Sequence, residues 1–280
     1  MFNQILALIL SGVNALLLWV QLPRFPMNRT LDLDKFTLVW QDEFDGDALD
    51  TAKWRGHNYT SGASKRQDGW WCLEMAQING GMLHIPSVYS EEGMAGGPPG
   101  YYTAGINTKG RLEQKFGYFE VRAMLPKGEG LWSAFWMQCD AMGNVDGSGR
   151  DGMEIDIYES PYYQQAWKLK KNAVSSALHY DGYGEAHRVE DVAYTQVKEP
   201  YDTFHTYGLE WNENEYIFYI DGRETGRSSF GGVSQVPEYL ILSVEHQFKG
   251  WAGDIRNNTE MTDFVVDYVR AYQYKDLLEG

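Results

Sequence analysis

From about Phe36 onward the chain sets short runs rich in Val, Ile, Tyr, Phe and Trp between clusters of Gly, Asn, Asp and Pro. That spacing is the signature of an all-β sandwich or barrel built from short strands. The clearest strands are Phe116–Leu125, Tyr216–Ile220 and Phe264–Tyr272, where apolar side chains recur at every second position and so fall on one face of a pleated strand. Asp221-Gly222 directly follows the second of these, and such a pair suits a two-residue hairpin because both central positions need a positive φ. Two stretches read as loops: Gly93–Tyr102, with Gly-Gly-Pro-Pro-Gly inside it, and Met142–Gly152. Long loops that interrupt a sheet protein commonly carry its function. Neither an internal repeat nor a second hydrophobic pattern interrupts this rhythm, so one domain over residues 31–280 is expected, preceded by a leader and linker over residues 1–30.

The run Ile5–Val20 is the only long apolar stretch in the chain. Its length suits the core of a signal peptide or a marginal membrane anchor, and an amphipathic helix packed on the domain is the plainer alternative. A basic segment before it and a small-x-small cleavage site after it are both missing, which keeps an uncleaved anchor open. Export is the expectation, giving a secreted or surface-anchored protein that meets a membrane through this segment alone.

Composition narrows the partners. The formal net charge of −15 excludes a nucleic-acid surface, which must be basic, and disfavours anionic membranes. The same field repels polyanionic polymers unless a local basic cleft overrides it, so a neutral ligand and a monomeric chain are expected. Ten Trp and 19 Tyr are more than a core of this size requires, and their half-polar rings suit exposed platforms on which sugar rings stack. Cys72 and Cys139 are too few for a structural zinc site; they form either one disulfide or two buried thiols.

The segment Asp151-Gly-Met-Glu154-Ile-Asp156-Ile-Tyr-Glu159-Ser160 carries the candidate chemistry. In a strand Glu154 and Asp156 point to one face while Ile155 and Ile157 point into the packed layer. Strict alternation puts Glu159 on the wrong face, but one extra residue in a β-bulge after Asp156 returns it, and bulges gather beside active sites. Carboxylates crowded in this way cannot all ionise at their free pKa values. Glycoside hydrolysis needs that separation, with one acid ionised for attack and another protonated for the leaving oxygen. The Cα atoms of Glu154 and Glu159 would lie about 13 Å apart along a bulged strand, from which inward-leaning side chains can approach the ~5–5.5 Å of retaining enzymes. An exposed polar strand face or a calcium site would use the same acids.

Taken with its neighbours, this strand resembles that of glycoside hydrolase family 16. The matching pieces are Leu38-Val-Trp-Gln-Asp-Glu-Phe-Asp-Gly46 with Lys53-Trp54, Gly117-Tyr-Phe-Glu-Val-Arg-Ala-Met-Leu-Pro126, Gly130-Leu-Trp-Ser-Ala-Phe-Trp-Met137, the acidic strand itself, Phe204-His-Thr-Tyr-Gly-Leu-Glu-Trp211, Tyr219-Ile-Asp-Gly222 and Val266-Asp-Tyr-Val-Arg270. The resemblance covers about residues 36–275 and implies a β-jelly-roll sandwich of two antiparallel sheets with a concave cleft. It also implies a retaining mechanism, in the bulged form of the motif found in laminarinases and red-algal galactan hydrolases. Glu154 then matches the nucleophile, Glu159 the general acid/base and Asp156 the residue that orients and tunes them. Trp132 matches the Trp that lines the sugar channel ahead of the acidic strand; Trp136, four residues on, is either a second cleft residue or core; and His179 stands where members often place a His near the acid/base, with a structural hydrogen-bonding role as its alternative. Glu43 and Asp267 match positions that in several members hold a structural calcium on the convex face, and catalysis itself needs no cofactor. The strand Leu240-Ile-Leu-Ser-Val-Glu-His-Gln-Phe-Lys-Gly-Trp251 departs from the laminarinase pattern, and its Glu245 and Trp251 become candidates for contact with sugar hydroxyls and a ring face. The expected activity is endo-hydrolysis of a β-1,3- or mixed β-1,3/1,4-glucan, with a β-galactan second. A non-catalytic lectin-like domain is the contrasting class, and the presence of both Glu154 and Glu159 weighs against it.

Overall fold

The computed structural model describes residues 25–57, 61–162 and 172–279. The apolar run Ile5–Val20 lies outside them. Two antiparallel sheets stack face to face, as the jelly-roll expectation required. The outer sheet runs in the order Arg223–Ser228, Tyr216–Ile220, His205–Trp211, Gly117–Met124, Phe264–Tyr274, Met82–Ile85, Gln77–Asn79. The cleft-bearing sheet runs Arg188–Gln196, Ala173–Tyr180, Glu154–Pro161, Leu131–Gln138, Tyr239–His246, Gly105–Asn107, Arg55–Gly56.

Period-two patterning decides which face of each strand is buried. In Gly117–Met124 the side chains of Phe119, Val121 and Ala123 are fully buried while Glu120 and Arg122 alternate outward. From the opposite sheet Phe135, Met137, Ile155, Leu240, Leu242 and Val244 close the same core. Each large apolar side chain so buried contributes about 1.5–3 kcal/mol against exposure, so a one-residue slip of register would be strongly opposed. Phe264–Tyr274 is the hub of the outer sheet. One of its edges pairs with Gly117–Met124; the other pairs with Met82–Ile85 through Phe264–Val266 and with Phe36–Asp42 through Val269–Tyr274. The Asp221-Gly222 hairpin forms as the sequence required, with φ of 50° and 67°.

Three expectations change. The stretch Gly93–Tyr102 is not loop throughout, because Gly100–Thr103 is a strand in a third, four-stranded sheet with Ser64–Arg66, Gly69–Trp71 and Val88–Ser90. Tyr101 and Tyr102 are good strand formers, and Gly100 lets the backbone pass against the Trp70 ring, where a Cβ would sit 3.3 Å from it. Gly69–Trp71 and Gly100–Thr103 pair in parallel within this third sheet, while the pairings within the two sheets of the sandwich are antiparallel. Second, Met142 and Gly143 belong to a 3-10 turn, Asp140–Gly143, at the start of the loop that precedes the acidic strand. Third, Cys72 and Cys139 are both free and buried, which removes the disulfide alternative; burial pushes their thiols up to about 11 and about 12 and leaves them poorly reactive.

The linker docks before residue 31. Met27 N–H donates to Glu224 O at 2.7 Å, Leu31 N–H to Gly222 O at 2.8 Å, and Glu224 N–H to Arg29 O at 2.9 Å, so this segment covers the edge strand Arg223–Ser228. Among the described residues no helix is long and apolar enough to cross a membrane.

Candidate active site

The acidic strand, Glu154–Pro161, lies between Leu131–Gln138 and Ala173–Tyr180. Its pairing with Leu131–Gln138 jumps from Trp136↔Asp156 to Phe135↔Tyr158, so Ile157 is the additional residue of a bulge. The pairing with Ala173–Tyr180 breaks over the same stretch, between Asp156↔Ala177 and Glu159↔Ser175. Ile155, Ile157 and Tyr158 all enter the core, and the extra residue returns Glu159 to the face already held by Glu154 and Asp156. The sequence placed the bulge correctly.

The acids share a cleft of about 470 Å³ whose lining also includes Arg66, Trp132, Trp136, His179, Tyr183, Glu245 and Trp251. Cross-strand register explains the floor. Trp132 faces Glu245, Ala134 faces Ser243, Trp136 faces Ile241 and Gln138 faces Tyr239, so every second residue of Leu131–Gln138 meets the cleft. Trp132 stands edge-on to Trp251 with ring centroids 5.0 Å apart, and Trp251 remains 37% exposed, which leaves aromatic surface at one end of the cleft. Trp136 is different. It is buried, donates its indole N–H to Ser243 Oγ at 3.1 Å and packs edge-on against His57, so it forms the floor rather than a free platform.

Burial acts on all three acids in the direction that favours protonation. For Glu159 it is the largest cause of a pKa well above the usual carboxylate range, followed by Asp156, Glu154 and Glu245, while the Trp132 indole N–H works the other way. Neighbouring charge, which the sequence put first, is therefore the second cause. Asp156 is raised well above its ordinary value by burial and then by Glu154 and Glu245. Glu154 is raised by burial, but donors and positive charge oppose that rise: Tyr183, His179, Arg66 and Gln138 all favour its carboxylate. Glu154 is thus the acid best supported as an anion, and Glu159 the one best held as a proton source.

His179 is placed one acid away from its expected neighbour. It lies opposite Glu154 in register and its Nε2 is 3.1 Å from Asp156 Oδ2, so it serves Asp156 rather than Glu159. Its Nδ1 meets His187 Nε2 at 2.9 Å, and burial lowers its pKa. Glu245 is buried and occupied: Arg66 donates to its Oε1 from Nε at 2.7 Å and from Nη2 at 2.6 Å. It contacts Arg66 first, and the Arg66 guanidinium, which also lies over the Trp71 ring, becomes a polar wall of the cleft.

Glu43 and Asp267, the positions that the resemblance linked to calcium, are each paired with an arginine in this structure. Arg270 clamps Glu43 with two bonds of 2.8 and 2.9 Å, and Asp267 is held by Arg122. Among the described residues, the one group of His and carboxylate ligands close enough to hold an ion is Glu154, Asp156 and His179, within 4.8 Å of one another. The residues around the acids that the sequence did not reveal are Arg66 and Tyr183 in the cleft lining, Gln138 bonded to Glu154, and His187 bonded to His179. Gln138 shares strand parity with Trp132 and Trp136 and was readable on that ground; the other three arrive on strands and turns distant in sequence.

Comparison with known proteins points one way. A family profile described as "Beta-porphyranase A-D, GH16 domain" matches residues 38–274. Glucan endo-1,3-beta-glucosidase A1 of Niallia circulans is 29% identical over 269 residues, covering 84% of this chain, which spans 38% of that relative's length. A keratan-sulfate endo-1,4-beta-galactosidase of Sphingobacterium multivorum is 28% identical, covering 87% of this chain and 57% of the relative. In structure, the laminarinase catalytic domain of Thermotoga maritima superimposes with a TM-score of 0.66 at 28% identity, covering 85% of this chain and 98% of that one. The bulged acidic strand, the cleft it faces and a profile match across nearly the whole sandwich agree, and the chain belongs to glycoside hydrolase family 16.

Proposed function

We propose that this glycoside hydrolase is an endo-acting, retaining β-glycanase, and that its first substrate class is a β-1,3- or mixed β-1,3/1,4-glucan. One observation carries the mechanism: a single bulged strand turns Glu154 and Glu159 to the same cleft, with donors and positive charge around the first and burial and negative charge around the second. In that reading Glu154 attacks the anomeric carbon while Glu159 passes its proton to the departing glycosidic oxygen. Glu159, now ionised, takes a proton from water, which displaces Glu154 and restores the β configuration. Asp156 is held by His179 beside both. Trp132 and Trp251 provide ring faces for sugars, and Arg66 with Glu245 provides donors and acceptors for hydroxyls. The glucan assignment draws on the glucanase relatives.

A second reading, a β-galactan substrate, has specific support. The matching profile is named for porphyranases, one relative is named a keratan-sulfate galactosidase, and Arg66 puts a guanidinium into the cleft of a chain with net charge −15. We further propose that the protein acts outside the cell or at its surface as a monomer, since a polymer cannot cross a membrane to meet it and Ile5–Val20 has the length of an export signal or anchor. No calcium on Glu43 and Asp267 enters this proposal.

Release of reducing ends from laminarin, barley β-glucan, lichenan, agarose, porphyran and keratan sulfate tests the substrate class. Proton NMR of the first product tests the mechanism. The β-anomer is expected before mutarotation, and an α-anomer would reject retention.

A further inference from the structure

Among the described residues Glu154 has two side-chain donors, and both address the same oxygen. Gln138 Nε2 donates to Oε2 at 2.9 Å, and the Tyr183 hydroxyl donates to Oε2 as well. Gln138 is fixed at the end of Leu131–Gln138, where its own Oε1 accepts from Tyr239 OH at 3.1 Å. Tyr183 has no strand to hold it. It sits on the turn between Ala173–Tyr180 and Arg188–Gln196 and is 64% exposed, yet its hydroxyl reaches a buried carboxylate.

The turn is anchored from two sides, which explains how. Asp181 Oδ1 accepts the backbone N–H of Asp146 at 3.1 Å and of Gly147 at 3.2 Å, and Gly182 N–H donates to Met142 O at 2.8 Å. The loop before the acidic strand and the Tyr183 turn are thereby tied together. At the far end, the His187 ring stacks on His179 with centroids 5.1 Å apart and planes 6° from parallel. Asp181 and Gly182 both take positive φ, 62° and 68°, a conformation that reverses the chain tightly.

We propose that Tyr183 is a positioning residue for the nucleophile: with Gln138 it engages Oε2 and reserves Oε1 for attack on the anomeric carbon. The proposal rests on the glycanase reading above. In the first step the Oε1–carbon bond forms as the glycosidic bond breaks and the leaving oxygen takes the Glu159 proton. Oε2 becomes the carbonyl oxygen of the glycosyl ester, still within reach of the Tyr183 hydroxyl. In the second step water attacks the anomeric carbon, gives a proton to Glu159, and the carbon–Oε1 bond breaks. Negative charge returns to Glu154, and a donor already in place on Oε2 stabilises it as it forms. Tyr183 therefore assists release of the intermediate more than its formation.

Tyr183→Phe tests this, because it removes one hydroxyl from an exposed ring and leaves the turn's anchors intact. Two readouts are used: the carbon-13 titration of the Glu154 carboxyl in uninhibited enzyme, and the pH dependence of kcat and kcat/KM on the best substrate of the panel. Loss of the donor is expected to raise the Glu154 pKa, to move the acidic limb of kcat/KM to higher pH with it, and to lower kcat by about 10- to 100-fold together with KM. An unmoved titration with an unmoved acidic limb overturns the proposal. So does a raised KM at unchanged kcat, which would make Tyr183 a substrate contact, and so does a gain in activity, which would make it an obstruction. If wild type hydrolyses nothing on the panel while the Glu154 titration still shifts in the variant, the Tyr183 bond stands and the glycanase reading is what fails.

Discussion

The two faces of this sandwich treat acidic side chains in opposite ways. On the outer sheet each acid is matched with donors. Glu120 accepts from Tyr118 at 2.6 Å and Tyr268 at 2.9 Å, Glu210 from Tyr219 at 2.9 Å and Tyr274 at 2.8 Å, and Glu43 receives both arms of Arg270. On the cleft face Glu154, Asp156 and Glu159 share one strand, Glu245 stands on another, and the arginine that reaches them, Arg66, is bonded to Glu245. Glu154 and Glu245 keep donors of their own, so what differs is burial and crowding: Asp156 and Glu159 lie buried among neighbouring carboxylates. Satisfied acids stabilise a surface, whereas acids buried in excess of their donors have displaced pKa values and are ready to exchange protons.

That contrast can be broken most directly by the same substitution on each face. Glu154→Gln should lower turnover by roughly four orders of magnitude or more, since the amide cannot form the glycosyl ester, with circular dichroism and unfolding midpoint near wild type. Glu210→Gln should do the reverse. Its carboxylate accepts from two tyrosines, an amide can accept from only one side, and about 1–3 kcal/mol of stability should be lost in urea unfolding with activity within about twofold. Similar activity losses in both variants would erase the distinction between the faces.

Glu159→Ala comes next, with an expected loss of about 10²- to 10⁴-fold on polymers and a much smaller loss on aryl glycosides whose leaving group needs no proton. Azide should accelerate the variant and yield a β-glycosyl azide; equal losses on both substrates without azide rescue would remove Glu159 from proton transfer. Asp156→Asn sharpens the comparison at finer scale. Removing a negative neighbour favours ionised Glu159, lowers its pKa, and should move the basic limb of the activity profile to lower pH by about one unit. A basic limb that stays in place would mean that Asp156 acts through its bond to His179 and not through its charge.

How far the sequence could be read follows from the range of each interaction. Strand parity and a single bulge suffice to put Glu154, Asp156, Glu159, Trp132 and Trp136 on one face, because those relations are set within a few residues. Sandwich class and the Asp221-Gly222 hairpin are legible for the same reason. Parity does not say whether a ring on the cleft face is free or packed, and Trp136 turned out to be floor. Arg66 bonds to Glu245 across 179 positions, and the short strand that delivers it, Ser64–Arg66, belongs to a small sheet of which one strand, Gly100–Thr103, overlaps a stretch that reads as Gly- and Pro-rich loop. Tyr183 depends on a turn whose shape is set by Asp181 bonding to a different loop. The arginine partners of Glu43 and Asp267 were illegible for a related reason: Arg270 and Arg122 are within reach of them only once the outer sheet has formed.

The hub position of Phe264–Tyr274 has a consequence for how the molecule is made. Among the described residues it is the last strand in chain order, and it sits between strands drawn from three earlier parts, Phe36–Asp42, Met82–Ile85 and Gly117–Met124. During synthesis those earlier strands emerge with their pairing edges open and must wait for Phe264–Tyr274 before the outer sheet can close. Contacts this distant in sequence make folding slow, and the waiting chain exposes β-edges that favour aggregation. A ribosome that stalls before Phe264 would therefore release a sandwich with no seam rather than one with a shortened tail.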